Sequence, residues 1–408
     1  MDKSRRRITL AGGAFALSPI SRAFAAPVGG TAELGLAEIP DGALAEQSLF
    51  ALPGKLPLIR KTFRPPNFET PVQYFRTPIT QNRAFFVRYH LAAIPEVAAK
   101  DWTLTVGGES AERELKLSLQ QLKREFKPAQ VTAVCQCSGN RRGLFEPHVP
   151  GVEWGVGAMG NALWRGVRLK DVLAKAGVKA DALEVVFDGA DHAPLEKTPD
   201  FVKSLPLEMA MDENTLIAFE MNGEPLPHWN GFPARLVVPG WTGTYWVKQL
   251  VSVKVVAKPE GNFWMSTAYR LPKGRFKTPS FKSQVAAANE PITTMVVNSL
   301  ITSLKTGQQL RRGQPLVVKG VAWDGGSGIA QVEVSTDGAT WQAAKLGKDL
   351  GRFSFREFSF SMPTREPGSH VVMARATSRA GETQVNQLIH NPAGYHHNVI
   401  QRIYVEVV

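Results

Sequence analysis

Two cysteines carry the densest chemical signal in the chain, and they are its only two. Cys135 and Cys137 flank Gln136, and Ser138-Gly139-Asn140-Arg141-Arg142 follows at once. Along an extended strand, residues i and i+2 face the same side, so the two thiols share a face. Disulfides usually join positions across strands, so a bridge between these two is disfavoured. Ser-Gly-Asn reads as a turn whose N–H groups can face an anion. Arg141 and Arg142 add positive charge beside the second thiol, which favours the thiolate, the form that binds metals. A buried structural cysteine next to a basic surface turn satisfies the same spacing, and spacing alone does not choose between the two.

The elements that must position these residues are legible around them. "AQVTAVCQC" is a strand running into the turn. "LSLQQLKREF" is an amphipathic helix started by Ser118, and "LKDVLAKAG" is a second helix with Gly177 past its end. "FFVRYHLA", "WTLTVGG" and "ALEVVFDG" read as strands, and "PARLVVPGWTGTYWVKQLVSVKVV" as two strands either side of a Gly-rich turn. Residues 26–80 are Pro-rich and aperiodic and read as an extended arm. Residues 81–287 mix strands with short helices, so the fold class is α+β, with a mixed α/β domain. From 288 to 408 the helices vanish. Six or seven short strands, punctuated by Asp324-Gly325-Gly326 and Asp337-Gly338, give the pattern of an immunoglobulin-like β-sandwich without its disulfide.

With 408 residues, 43% hydrophobic and 21% charged, the chain can build two or three domains with sizeable cores. No apolar run reaches the length of a membrane span. The amino terminus reads as an export signal over residues 1–25. Ser4-Arg5-Arg6-Arg7 precedes a weakly apolar stretch, and Ala23-Phe24-Ala25 is a small-x-small cleavage site. That implies a twin-arginine route to the periplasm, which carries folded, cofactor-loaded proteins. The signal holds five basic residues against Asp2, a net four of the +12 charge, so its removal leaves +8. Such a balance suits anionic small molecules or acidic partners rather than nucleic acid, for which no motif is present.

Over a longer span, residue identities resemble the sulfite oxidase family of molybdopterin enzymes, and within it the bacterial periplasmic sulfite dehydrogenases. "FFVRYH", "CSGNRR", "GVEWGVGAMGNALWRGVRLKDVL", "AFEMNGEPLP", "NGFPARLVVPG" and "WVKQL" occur in the family's order. "GVAWDGGSGIAQVEVSTDGATWQAAKL" resembles its immunoglobulin-like dimerisation domain. The likeness runs over roughly residues 60–408. It implies a molybdenum-molybdopterin cofactor with Cys137 as metal ligand. A soft thiolate suits a metal already held by the pterin's sulfurs. Cys135 has no role in that scheme and reads as a buried strand residue. Phe86, Val87, Arg88, Tyr89 and His90 would line the pterin and the substrate pocket. Alternation puts Arg88 and His90 on one face. Arg88 and Arg142 would hold an oxyanion, to which a guanidinium donates two parallel hydrogen bonds. Tyr269 would be the active-site tyrosine, His90 its neighbour, and Trp154 would stand beside the anion. Arg235 and Lys248 would neutralise the pterin's phosphate, with Trp246 and Val247 beside them. Asp191 and Asn230 would be further pterin contacts. Asn230 stands where many relatives have histidine, so His228 is an alternative there.

The resemblance implies oxidation of sulfite to sulfate, with electrons leaving one at a time to a separate c-type cytochrome. No heme-attachment motif Cys-x-x-Cys-His occurs in the chain. A homodimer, or a heterodimer with a cytochrome subunit, is implied. A third substrate arginine found in eukaryotic relatives is missing from "HNPAGYHHN", where His396 or His397 would have to compensate. Exposed loop histidines are the plainer reading. Two rival functions stay open: a reductase for an S- or N-oxide on the same scaffold, and a metal-free periplasmic binding protein built on the sandwich.

Overall fold

A computed structural model describes residues 49–272, 283–364 and 366–408. The export signal and the first part of the expected arm lie outside the described residues. The rest of that arm is not a loose extension. Leu49–Phe50, Leu58–Thr62 and Asn67–Glu69 form a four-stranded antiparallel sheet completed by Val87–Arg88. Its prolines fall between the strands, and Phe68, Val87 and Tyr89 close a small core beneath it. The Pro-rich composition hid this sheet because its strands are only two to five residues long.

Two larger sheets build the rest of the first domain. One has the order Val202–Pro206, Glu184–Gly189, Leu250–Val256, Thr103–Gly107, Leu115–Ser118, antiparallel except where Leu250–Val256 meets Thr103–Gly107. The other runs Glu224–Pro225, Leu216–Met221, Met159–Arg168, Pro128–Gln136, with Arg235–Val237 also paired to Leu216–Met221. The two expected helices are present. Leu119–Glu125 starts at a capping box, in which Ser118 Oγ accepts from the Gln121 amide and Gln121 Oε1 accepts from the Ser118 amide. Leu169–Ala176 buries Leu169, Val172, Leu173 and Ala176 and ends at Gly177, whose φ of 76° needs no Cβ.

The strand that carries the cysteines is held in register by Met159–Arg168, with Cys135 opposite Gly160. A Cβ on Gly160 would fall 2.4 Å from the Phe85 ring. The missing side chain therefore lets Phe85 and Phe86 stack against this sheet, their centroids 5.5 Å apart.

The carboxy-terminal domain packs a four-stranded sheet on a five-stranded one around Val318, Val332, Phe358, Val372 and Ile403. Each strand named from its alternation is present, and two short ones, Asn298–Ile301 and Gln308–Leu310, join them. The domains share a core in which Phe75, Val134 and Met159 meet Leu300, Trp323 and Phe355. Polar ties cross the same boundary. The Val134 amide donates to Phe353 O at 2.9 Å, and Trp323 Nε1 donates to Gln136 Oε1 at 2.7 Å. Those two residues sit on the cysteine strand itself. Among the described residues no helix is long and apolar enough to cross a membrane.

Candidate active site

A cavity opens at the end of the cysteine strand. Both thiols line it, as the i, i+2 spacing requires, and both are free and buried. Cys135 faces the Arg235 guanidinium, and burial pushes its thiol up to about 11 against the pull of Arg235 and Lys248. It is thus a buried strand residue, as expected, and also part of the cavity wall. Cys137 faces Arg88 instead.

Phe86, Arg88 and His90 all line the cavity, on the face that alternation assigns to them. Val87 and Tyr89 do not. They point the other way, into the small core with Phe68, and only shape the site from behind. Tyr89 accepts from Gln249 Nε2 at 2.9 Å, and Lys248 Nζ sits 4.0 Å from its ring centroid. Arg88 donates to Asn67 Oδ1 at 3.3 Å, to its neighbour's carbonyl at Tyr89, and to the Tyr269 hydroxyl at 3.4 Å. His90 Nε2 lies 2.6 Å from that same hydroxyl. The ring of His90 stacks on Phe201 at 3.6 Å. Burial, with Arg88, Lys248 and Lys203 nearby, holds His90 well below the usual imidazole range. It is therefore neutral at pH 7 and able to accept the tyrosine's proton in a hydrogen bond. Burial raises the Tyr269 hydroxyl, while Arg88 pulls it down.

Tyr269 has φ 57°, a left-handed conformation that a side chain rarely adopts. Its ring stacks on Tyr395 at 5.6 Å. Tyr395 occupies the segment where an arginine was missed, and its ring carries the Arg142 guanidinium at 5.2 Å. Arg142 is not among the cavity-lining residues. It donates from Nε to Ala393 O at 3.1 Å and from Nη1 to Val152 O at 3.2 Å. Its charge therefore reaches the site through the two stacked tyrosines. Arg141 turns away altogether and donates to Ser299 O at 2.7 Å and Val399 O at 3.2 Å in the second domain. Of the turn's amides, that of Asn140 is spent on Cys137 O, and the Arg141 and Arg142 amides beyond it go to Gly155 O and Gly139 O.

Arg235, Trp246, Lys248 and Asn230 line the cavity as expected. Arg235 donates to the carbonyls of Asn230 and Trp246 at 3.0 and 2.9 Å. Lys248 Nζ donates to Arg88 O at 2.7 Å, and burial lowers its pKa to about 7. The Asn230 amide is already committed, accepting from Lys55 Nζ and donating to Phe86 O at 3.1 Å. His228 and Val247 do not line the cavity. Asp191 stands behind Lys248 rather than in the wall, and burial raises its carboxyl while Lys248 lowers it. Trp154 is wholly buried in the main core and is a packing residue in this arrangement. His396 and His397 are not exposed loop residues. Burial lowers them to about 4 and about 3, so neither supplies positive charge at pH 7.

Three residues escaped the sequence reading, and so did the hydroxyl of Ser138, which was read only as part of a turn. Ser138 and Thr244 line the cavity with buried hydroxyls that lack a hydrogen-bond partner. Lys55 is buried and holds Asn82 O, Phe85 O and Asn230. Lys203 is buried beside the ring of Tyr269. A hydroxyl or a lone lysine carries no periodic signal, so nothing in the pattern could have singled them out.

Residues 90–264 match the oxidoreductase molybdopterin binding domain, and residues 289–408 match the Mo-co oxidoreductase dimerisation domain. Sulfite oxidase of Gallus gallus is 34% identical over 330 residues, which are 78% of this chain and 70% of that protein. The chain belongs to the sulfite oxidase family. Mitochondrial sulfite oxidase of Homo sapiens is 38% identical over 294 residues, 69% of this chain but only 52% of its own length. The chain thus matches about half the length of the mammalian relatives. The sulfane dehydrogenase SoxCD from Paracoccus pantotrophus superposes with a TM-score of 0.73 at 27% identity, over 85% of both chains.

The family's cofactor is molybdenum-molybdopterin, and the residues present fit it. Two cations, buried Arg235 and half-buried Lys248, stand in the wall without an ion-pair partner among the described residues, a costly arrangement unless an anion arrives. Two buried hydroxyls wait beside them. Among the described residues no three His, Cys, Asp or Glu side chains cluster as a metal cage. Cys137 would offer the soft donor, Arg235 and Lys248 the charge for a phosphate, and Ser138 and Thr244 polar contacts for the ring system.

Proposed function

We propose that this chain is a periplasmic sulfite dehydrogenase: sulfite and water give sulfate, two protons and two electrons, the electrons passing singly to a c-type cytochrome. The observation that carries this reading is the Arg88 guanidinium, set in the cavity wall between Cys137 and Tyr269. The cofactor, when bound, supplies the two-electron redox chemistry. Everything else falls to the chain. Arg88 binds the dianion and offsets its repulsion from electron-rich sulfur and metal. The Tyr269 hydroxyl, bonded to neutral His90, holds a proton at the cavity and passes it toward solvent. Phe86, Phe201 and Trp246 keep bulk water from the site. The twin-arginine start supports export, and the dimerisation domain supports a dimer.

The test is expression of the full chain in a host that makes molybdopterin. Sulfite-dependent reduction of ferricyanide and of cytochrome c is then measured on molybdenum-loaded protein. Turnover with both supports the reading; full metal with no sulfite turnover sinks it. The likeness to SoxCD favours a second reading, oxidation of sulfane sulfur, and sulfane donors belong in the same assay. Export is checked by fractionating cells that carry Arg5-Arg6 or a Lys pair in their place. Periplasmic delivery of both forms would count against the twin-arginine route.

A further inference from the structure

Beside the ring of Tyr269 lies a lysine that the scheme above does not use. Lys203 belongs to the edge strand Val202–Pro206 and has no exposed surface. Its Nζ makes one hydrogen bond, to Trp264 O at 2.7 Å, although an ammonium has three donors. It stands 4.5 Å from the ring centroid of Tyr245 and 5.4 Å from that of Tyr269. No carboxylate pairs with it among the described residues, and the buried Tyr245 hydroxyl also lacks a partner. Two aromatic faces are a weak substitute for water. A buried cation held this way is costly for the fold. What it gains is a positive charge directed through a tyrosine ring at the cavity.

We propose that Lys203 is a positioning residue whose charge acts through Tyr269 to favour an anion in the cavity. This rests on the sulfite reading for its substrate, but on geometry for the residue. The groups around Lys203 are Tyr245, Tyr269, the Trp264 carbonyl and neutral His90, with Arg88 beyond Tyr269. None is a carboxylate that would cancel the charge. Burial lowers Lys203 to about 7, so the ammonium is present below neutrality and fades above it.

The experiment compares the loaded full-length protein with Lys203→Met and Lys203→Arg across about pH 6 to 9. KM for sulfite and the inhibition constant for sulfate are measured at each pH. Sulfate protection against heat unfolding gives a readout free of turnover. At low pH, Lys203→Met should weaken both sulfite and sulfate by roughly tenfold or more, because a positive charge facing the dianion through a low-dielectric interior is lost. At high pH it should converge with the wild type, because the lysine is by then neutral. Protonation of sulfite itself cancels in the ratio. Lys203→Arg should keep tight anion binding into the alkaline range, where the wild type loses it. A loss in Lys203→Met that is the same at every pH, or that falls on kcat alone, overturns the proposal. If Lys203→Met does not fold, Lys203→Arg decides: anion binding that weakens with pH as in the wild type overturns it. Absent sulfite turnover in the wild type would refute the substrate, while sulfate protection would still test Lys203.

Discussion

Arg88→Gln is the perturbation that asks most of this site. The guanidinium is fixed by Asn67 Oδ1, by the Tyr89 carbonyl and by the Tyr269 hydroxyl, so it cannot swing aside when substrate enters. Glutamine keeps the first part of the side chain and loses the charge and the fork. A hydrogen bond to a charged group contributes about 1.5–3 kcal/mol, and loss of a buried charged contact costs about 2–5 kcal/mol. Taking about 2–4 kcal/mol, kcat/KM for sulfite should fall roughly 30- to 700-fold, with most of the change in KM. The assay is steady-state ferricyanide reduction, with molybdenum content measured on the same preparation. Arg88→Lys restores charge without the planar fork and should recover only part of the loss. A KM within about threefold of wild type, in metal-replete Arg88→Gln, would refute the substrate clamp and move anion binding elsewhere in the cavity.

Cys137→Ser should leave a folded protein with little molybdenum and no sulfite turnover, since a hydroxyl is a poor soft donor; metal analysis near one equivalent would remove Cys137 as the ligand. Tyr269→Phe removes the hydroxyl shared by His90 and Arg88, and kcat should fall about a hundredfold or more. An unchanged kcat at every pH would exclude the tyrosine from proton handling. Stability should also report the buried histidines. His396 and His397 titrate at about 4 and about 3 when folded, against 6.5 ordinarily. The unfolded chain takes up those protons first, so their contribution is complete above about 6.5 and is lost as pH falls toward 4. His397→Gln should flatten the decline of Tm across that window, and an unaltered slope would show that His397 does not titrate there.

Much of the site was legible because its residues sit on periodic elements. Phe86, Arg88 and His90 obey strand alternation, and so do Cys135 and Cys137, so one rule placed five residues in one wall. The same rule should have removed Val87 and Tyr89, which it sends to the opposite face. The turn after Cys137 misled for a different reason. Local sequence put two arginines beside a thiol, but direction there is set by the second domain. Arg141 is drawn to Ser299 and Val399, and Arg142 to Ala393. Those acceptors lie more than 150 residues away in the chain, beyond any local pattern. The four-stranded sheet in the arm was missed because its strands are too short to show a period.

The second domain orients this site. Val134 and Gln136, the residues flanking Cys135, are bonded to Phe353 and Trp323, so the cavity end of the strand is clamped from the sandwich side. Arg141 and Arg142 tie the turn just past Cys137 to the same domain, and Tyr395 from that domain stacks on Tyr269. Substrate-facing chemistry on the first domain is thus oriented by contacts from the second. Leaving Trp323 Nε1 or Gln136 Oε1 unpaired would cost about 1–3 kcal/mol, a modest loss of stability placed one residue from the thiol whose position matters most. A site built in this way depends on the domain boundary being packed and dry. Trp323 and Phe355, wholly buried there with a centroid separation of 5.5 Å, are the residues that keep it so.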